Sequence, residues 1–414
     1  MRSTESGGEI AKVVIVGAGP AGATLALLLA QRGIEVSLLE RRRDFAREFR
    51  GEVLMPSGRE ALEQMGLGAL LGEVPTYAAQ EFAVFLDGKI VLGGPLNAED
   101  FGGRPPLAVS QPAFLQGVID IGRQISGFEF LSGIAVKSLV RDGPRIAGVV
   151  VRDPLAGGGE RTLAADLVVG ADGRNSIVRR QMGLAARSMS PPMDVVWCKL
   201  PCPKGWTGLR AFAGRGHLLI GYRTWDDALQ LGWVIAKGTF GALRSKGIRD
   251  WIDTMANHVP PDLASHLRRH REGITRPFLL DVVSDRVDSW YRPGALVIGD
   301  AAHAISPVGG QGINIALRDA IVAANHLVPV LSERAHDVEV ESALGRVEAE
   351  RIPEVARIQR LQALPPTVVM SRAKYGSLVR RTAALAANVG LVRRVLTSAA
   401  SDFLYGVTKV SLRA

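Results

Sequence analysis

Residues 12–40 read KVVIVGAGPAGATLALLLAQRGIEVSLLE, an apolar run, a glycine-rich turn, a second apolar run with helical spacing, and a third closed by an acid. Val13, Val14, Ile15 and Val16 are consecutive β-branched residues, the pattern of a parallel strand buried on both faces. Gly17, Gly19 and Gly22 carry the GxGxxG spacing. The first glycine permits a tight turn, the second lets backbone approach a pyrophosphate, and the third lets the helix pack on the strand. Pro20 suits the first helical turn, where its missing N–H would be unpaired in any case. With Ala18 and Ala21, these residues present a helix N-terminus to phosphate. Glu40 closes the next strand at about the 20-residue spacing at which an acid accepts a ribose hydroxyl. A carboxylate there repels a 2′-phosphate, so FAD or NAD fits the unit better than NADP.

Working outward, the 414-residue chain is long enough for two or three domains, and its 47% hydrophobic content is that of a globular protein with a large core. No apolar run reaches the roughly 18 residues of a membrane span, and the opening MRSTESGGEI lacks the apolar segment of a signal peptide. A cytoplasmic location is expected. Cys198 and Cys202 are the only cysteines, which excludes a disulfide framework and a cysteine zinc site and leaves them as core thiols. The net charge of +9 is spread among acids, without the aromatic-interleaved basic stripe of a nucleic-acid groove. A small-molecule partner is expected, not a nucleic acid.

An arginine cluster, Arg41 to Arg43, Arg47 and Arg50, follows the first unit and is either a solvated face or a holder of phosphate. Residues 81–92, EFAVFLDGKIVL, predict a hairpin turned at Asp87–Gly88. Gln111 falls in the first turn of a helix that Ser110 can cap. In residues 163–180 a strand, a Gly-Ala-Asp-Gly turn carrying Asp172 and a helix from near Ser176 repeat the layout of the first unit, with an Asx-turn as the plain reading of Asp172. Residues 191–251 hold five of the six tryptophans and alternate as antiparallel strands. In residues 294–320, GALVIGDAAHAISPVGGQGINIALRDA, a buried strand ends at Asp300, where open α/β sheets bind ligands. A glycine loop from Pro307 through Gly310 to Gly312 then opens a helix at Ile313 that can stabilise an anion. His303 reads as a structural histidine. Residues 341–362 predict a helix broken near Pro353. The basic tail beyond Pro365–Pro366 predicts amphipathic helices that pack on the body or touch a membrane surface.

GAGPAG at 17–22, GADG at 170–173, and GDAAH at 299–303 followed by GGQGINIALRDA resemble, in this order, the three fingerprints of the p-hydroxybenzoate hydroxylase-like (class A) FAD-dependent monooxygenases. The resemblance implies an α/β fold in which a Rossmann-like FAD-binding domain (1–76, 104–186 and 275–365) is interleaved with an antiparallel-sheet substrate domain (77–103 and 187–274), plus a C-terminal helical segment (366–414). It implies that Glu40 and Arg41 hold the adenosine ribose, and that Arg50 and Gln111 contact the pyrophosphate and ribityl region. Asp300 would bind a ribityl hydroxyl, Asp172 would serve FAD and reduced nicotinamide together, and the Gly312, Ile313 and Asn314 backbone would face the flavin pyrimidine edge. The implied activity uses FAD, with NAD(P)H as co-substrate and dioxygen, to hydroxylate an aromatic, polyketide or other electron-rich small molecule through a flavin C4a-hydroperoxide. In such chemistry the protein orients and excludes water. No catalytic residue and no metal ligand is assigned. Tyr222, Arg223, Trp233 and His217 are the substrate-contact candidates by strand position.

The thioredoxin-like domain of the phenol hydroxylase branch is not expected, and Arg318–Asp319 closes the third motif in a way that resembles the ubiquinone-pathway hydroxylases. Two other readings keep the flavin: a prenyl-reductase-like reductase or dehydrogenase without oxygen insertion, and a non-catalytic flavin-binding protein. The WxWxIP stretch of the flavin halogenases is absent, with residues 231–235 the nearest approach to it. Substrate identity and oligomeric state stay open.

Overall fold

A computed structural model describes residues 11–46, 53–152, 158–189, 191–214, 217–274, 277–369, 398 and 400–414. The expectations for Arg47, Arg50 and the basic stretch 370–397 lie outside the described residues.

The strand Lys12–Val16 sits at the centre of a six-stranded sheet. It pairs in parallel with Glu35–Glu40 on one side and Leu167–Gly170 on the other. Phe128–Ser132 and Ala295–Val297 extend the parallel order outward, and Tyr291–Arg292 closes one edge antiparallel. Two of the parallel crossovers are interrupted. Between Glu35–Glu40 and Phe128–Ser132 the chain inserts the hairpin Glu81–Leu86 and Lys89–Pro95; between Leu167–Gly170 and Ala295–Val297 it inserts Met193–Pro201, Leu209–Gly214, His217–Arg223, Ala228–Ala236 and Phe278–Leu280, with three helices between the last two. These insertions assemble into one seven-stranded sheet. Asp87 and Gly88 both have positive φ (47° and 80°), the geometry of the tight hairpin turn that the Asp-Gly pair predicts.

The core helix Gly312–Ser332 packs between the first helix, Pro20–Ala30, and the long helix Asp337–Val369. By length and composition, residues 308–332 are apolar enough to cross a membrane, contrary to the reading that no such run exists, but 72% of the window is buried within the fold. The long helix departs further from expectation. It runs unbroken through Pro353 and on to Val369, across the 365/366 division. A mid-helix proline removes one backbone hydrogen bond and crowds the preceding turn. Here the neighbouring side chains Arg351, Glu354, Val355 and Ile358 are all buried in the core, and their packing outweighs that local penalty. Two helices, Ile248–Ala256 and Pro261–Arg269, precede the last strand of the inserted sheet. Ser110 stands at the N-cap of Gln111–Gly122, without a side-chain cap hydrogen bond.

A buried ionic network ties the last three elements together. Asp319, fully buried in the core helix, accepts the Gly299 amide at 2.9 Å and lies 2.7 Å from His303 Nε2. Its other oxygen accepts Arg351 Nε at 2.8 Å. Arg351 also bonds Glu354, which in turn bonds Arg318 at 3.0 Å. Burial pushes the Asp319 carboxyl up, but His303 and Arg351 together outweigh it and hold the group at about 2. Because that folded value lies below the ordinary carboxyl value, the stability it contributes is fully present above about pH 4 and is lost as pH falls toward about 2. Asp319→Asn should therefore cost about 3 kcal/mol near neutrality, since it leaves Arg351 partly uncompensated. Urea unfolding followed from neutral pH to about pH 2 should show a shallower acid dependence in the variant; parallel curves would contradict the assignment.

Candidate functional site

The three sequence motifs meet at the carboxyl ends of the parallel strands. Gly17 has φ +101°, and a Cβ there would stand 2.5 Å from the carbonyl oxygen of Ala171, in the second motif. At Gly22 a Cβ would come within 2.0 Å of the Gly17 carbonyl, so helix and turn are in backbone contact. A Cβ on Gly299, in the third motif, would sit 3.2 Å from Ala21. The central Gly19 differs: a Cβ there would meet nothing within 4 Å. Two glycines thus allow protein to touch protein, and the third leaves open space in front of the helix that starts at Pro20. That open cradle at a helix N-terminus, uncapped by any side chain, suits a pyrophosphate.

Around it stand the acids. Glu40 is nearly buried; its two oxygens accept the Ala18 amide at 3.2 Å and the Arg42 amide at 3.0 Å, which fixes the carboxylate beside the glycine turn. Arg41 follows it at the exposed rim. Asp172 has a divided role. One oxygen accepts the Ile177 and Val178 amides at 2.7 and 3.3 Å, the capping turn that the sequence suggests. The other, Oδ1, is buried without a hydrogen-bond partner, and burial raises the carboxyl from its ordinary value. A buried acceptor with no donor is costly, and a hydroxyl-bearing ligand would satisfy it. Asp300 lies in the turn Gly299–Ala301, directly after the buried strand.

The loop 307–312 completes this side. Gly309 and Gly310 take positive φ (76° and 61°), and Gly312 opens the core helix toward open space. Asn314 is fully buried with its side chain engaged: Oδ1 accepts the Met55 amide at 2.8 Å, and Nδ2 donates to the carbonyls of Gly310 at 2.8 Å and Val53 at 3.2 Å. Only its backbone is left for a ligand. Ile313 is buried in the main core. Gln111 opens its helix, half-buried, after the strand Leu107–Val109, which pairs with Val53–Leu54 beside the loop.

The seven-stranded sheet presents one face to this loop. Met193, Val195, Trp197, Tyr222 and Val234 form a cluster against which Val53 and Val308 pack. Trp197 and Tyr222 meet edge to face at 6.4 Å. Gly232, paired across the ladder with Trp197, gives the indole its room: a Cβ there would fall 2.6 Å from the ring. Of the four substrate candidates, Tyr222 lies on this face. The structure puts Trp233, Arg223 and His217 on the opposite one, because side chains alternate along a strand. Trp233 packs on Trp251 at 5.9 Å under the helices. Arg223 pairs with Asp227 at 2.6 Å and covers the Tyr77 ring. His217 stacks on His258 at 3.6 Å beside a cavity of about 690 Å³. Trp197 is the residue that strand reading passed over, since only the ladder register places it beside Tyr222.

Neither cysteine is poised as a thiolate: burial pushes the Cys198 thiol up to about 12, and raises Cys202 as well. Among the described residues, no group of three or more His, Cys, Asp or Glu side chains is placed to hold a metal ion.

A family model described as an FAD binding domain matches residues 10–360. A 6-methylpretetramide 4-monooxygenase of Streptomyces rimosus is 34% identical over 378 residues, covering 90% of this chain and 88% of that one. A kynurenine 3-monooxygenase of Salinispora arenicola is 32% identical over 369 residues, covering 83% and 76%. The solved structure of a p-nitrophenol 4-monooxygenase from Pseudomonas putida shares the fold with a TM-score of 0.80 at 18% identity, covering 97% of this chain and 99% of that one.

The packing at the first turn is directly testable. Gly22→Ala forces a methyl into the Gly17 carbonyl and should destabilise the protein by about 1–3 kcal/mol, read as a lowered urea midpoint. An unchanged midpoint would mean that helix and turn do not touch as described.

Proposed function

The chain belongs to the FAD-binding-domain family of flavin-dependent monooxygenases, and on that premise we propose that it hydroxylates a flat, electron-rich aromatic substrate of the polyketide class. The observation that carries this reading is the apolar, aromatic sheet face of Trp197 and Tyr222 set against the glycine loop. Its lining is apolar and aromatic, the environment that suits a planar ring. The relative named for 6-methylpretetramide, similar over nine-tenths of the chain, supports the same class.

The chemistry that FAD supplies when bound is hydride acceptance from NAD(P)H and activation of dioxygen for transfer of one oxygen atom. This chain's residues do the holding and the shielding. Glu40 accepts the adenosine ribose hydroxyls, with Arg41 beside it at the rim. The N-terminus of Pro20–Ala30, open in front of Gly19, binds the pyrophosphate. Gln111 and Asp300 serve the ribityl region, and the unpartnered Oδ1 of Asp172 takes a hydroxyl donor. Pro307 and Gly310 shape the loop, and the amides of Gly312, Ile313 and Asn314, at the positive end of a 21-residue helix, stabilise negative charge on the flavin pyrimidine edge. Trp197, Tyr222 and Val308 exclude water from the space between sheet and loop, which keeps reduced oxygen from escaping as peroxide.

The test is to follow NAD(P)H oxidation and oxygen uptake by the purified flavoprotein across phenolic and polyketide substrates. Substrate-stimulated turnover with incorporation of one oxygen atom into a polycyclic aromatic product is expected. Flavin reduction without oxygen incorporation would replace this reading with a reductase. Asp300→Ala should weaken FAD binding about tenfold, measured by flavin fluorescence. Trp197→Ala should leave FAD binding intact while raising both KM and the share of NAD(P)H diverted to hydrogen peroxide.

A further inference from the structure

The glycine loop is held from several sides: within itself by the Gly310 amide on the Pro307 carbonyl, from the core helix by Asn314 on the Gly310 carbonyl, from the long helix by Gln362 on the Val308 carbonyl at 2.7 Å, and from the far end of the chain through Gln311. Gly309 and Gly310 both occupy the left-handed region, and glycine backbone is the most costly to order. Its one long side chain, Gln311, is 2% exposed and spends both amide hydrogens: one on the Gly309 carbonyl at 2.9 Å, the other on the carbonyl of Phe403 at 2.7 Å. The Phe403 ring lies against the loop itself, so that a Cβ on Gly309 would come within 2.8 Å of it. The loop that faces the flavin under the reading above therefore leans on the chain's last residues, beyond the stretch 10–360 that the family model matches.

Those last residues are anchored along their length. The Arg357 guanidinium donates to Asp402 at 3.0 Å. The Val407 amide donates to Glu354 at 3.1 Å, the Thr408 hydroxyl lies 3.2 Å from the same carboxylate, and Arg318 donates to the Thr408 carbonyl. Gly406 has φ +82°, and a Cβ there would fall 2.6 Å from Glu354 Oε1 and 2.8 Å from the Arg318 guanidinium. Val410 is buried in the main core, and the Leu412 amide donates to Gln64 at 2.7 Å. A terminus that only covers surface has few such ties. This one connects the buried ionic network to the glycine loop.

We propose that the C-terminal segment 401–414 is part of the flavin site, acting through Gln311 as a positioning residue that sets the 307–312 loop against the cofactor. The inference rests on the reading that this loop faces the flavin. Gln311 is buried with both amide hydrogens spent inside the protein, so it acts through the loop backbone, tying Gly309 to Phe403.

The experiment uses full-length apoprotein of the wild type and of Gln311→Met, Phe403→Ala and Gly406→Val. FAD affinity is measured by fluorescence quenching, amide exchange is followed in residues 307–312, and apoprotein melting is recorded in parallel. Gln311→Met keeps side-chain bulk but removes both bonds, and Gly406→Val dislodges the segment from Glu354 and Arg318. Both should weaken FAD about tenfold and speed exchange in the loop. In the loaded enzyme, both should raise the peroxide yield per NAD(P)H by a larger factor than any shift in apoprotein melting explains. Phe403→Ala, a truncation at a half-buried position, should do the same should Gly406→Val fail to fold. If these variants bind FAD within about twofold of wild type while Asp300→Ala binds it weakly, the segment has no part in the site and the inference falls. If Asp300→Ala also binds normally, the reading of the whole site falls and takes this inference with it.

Discussion

A carboxylate with no access to water must be surrounded by donors, and Asp319 is such a group. Its two oxygens draw in the Gly299 amide, the His303 ring and the Arg351 guanidinium. The cost of leaving any of these charges unpaired in the interior is several kcal/mol, of order 3–5. So the end of a parallel strand, the core helix and the long outer helix cannot shift independently. Asp300 sits one residue from a backbone amide held in this way. Glu354 and Arg318 extend the same network to the chain's last residues.

The cradle, which shares Gly299 with this network, is built on a different constraint, the close approach of backbone to backbone. Gly17 against Ala171, Gly22 against Gly17 and Gly299 against Ala21 bring three distant turns together, and Gly19 leaves the one gap. Those contacts gather an uncapped helix N-terminus, the acids Glu40, Asp172 and Asp300, and a second helix N-terminus at the ends of the parallel strands. The inserted sheet then supplies a wall. Its alternation separates the aromatic face at Trp197 and Tyr222 from the helix-covered face at Trp233 and Trp251, and only the first looks toward the glycine loop.

Much of this is legible in local sequence because the responsible interactions are local. The Asp87–Gly88 hairpin, the strand–turn–helix around Asp172 and the glycine turn at Gly17 each follow from residues within a few positions of one another. The failures have a common physical cause. Pro353 predicts a break because its cost is local, whereas what keeps the helix whole is the burial of Arg351, Glu354, Val355 and Ile358 against distant elements. Arg351 and Glu354, three apart on a helix, look like a solvated ion pair, and nothing nearby in sequence marks them as interior. Trp233, Arg223 and His217 differ from Tyr222 by strand parity, and which parity faces the loop depends on the ladder with Met193–Pro201.

By itself, the sequence determined the family, the parallel α/β core with its inserted sheet, and the glycine turns that pack against one another at the strand ends. These are set by short-range requirements: glycine where backbone must touch backbone, an acid at the end of a strand, β-branched runs buried on both faces. Only the tertiary structure decided which sheet face meets the loop, that the charges of two helices are buried as one network, and that the last residues of the chain support Gln311. Those outcomes depend on register and on contacts between segments far apart in the chain, such as the Gln311–Phe403 bond across 92 positions and the Gln64–Leu412 bond across 348, and no local pattern encodes them.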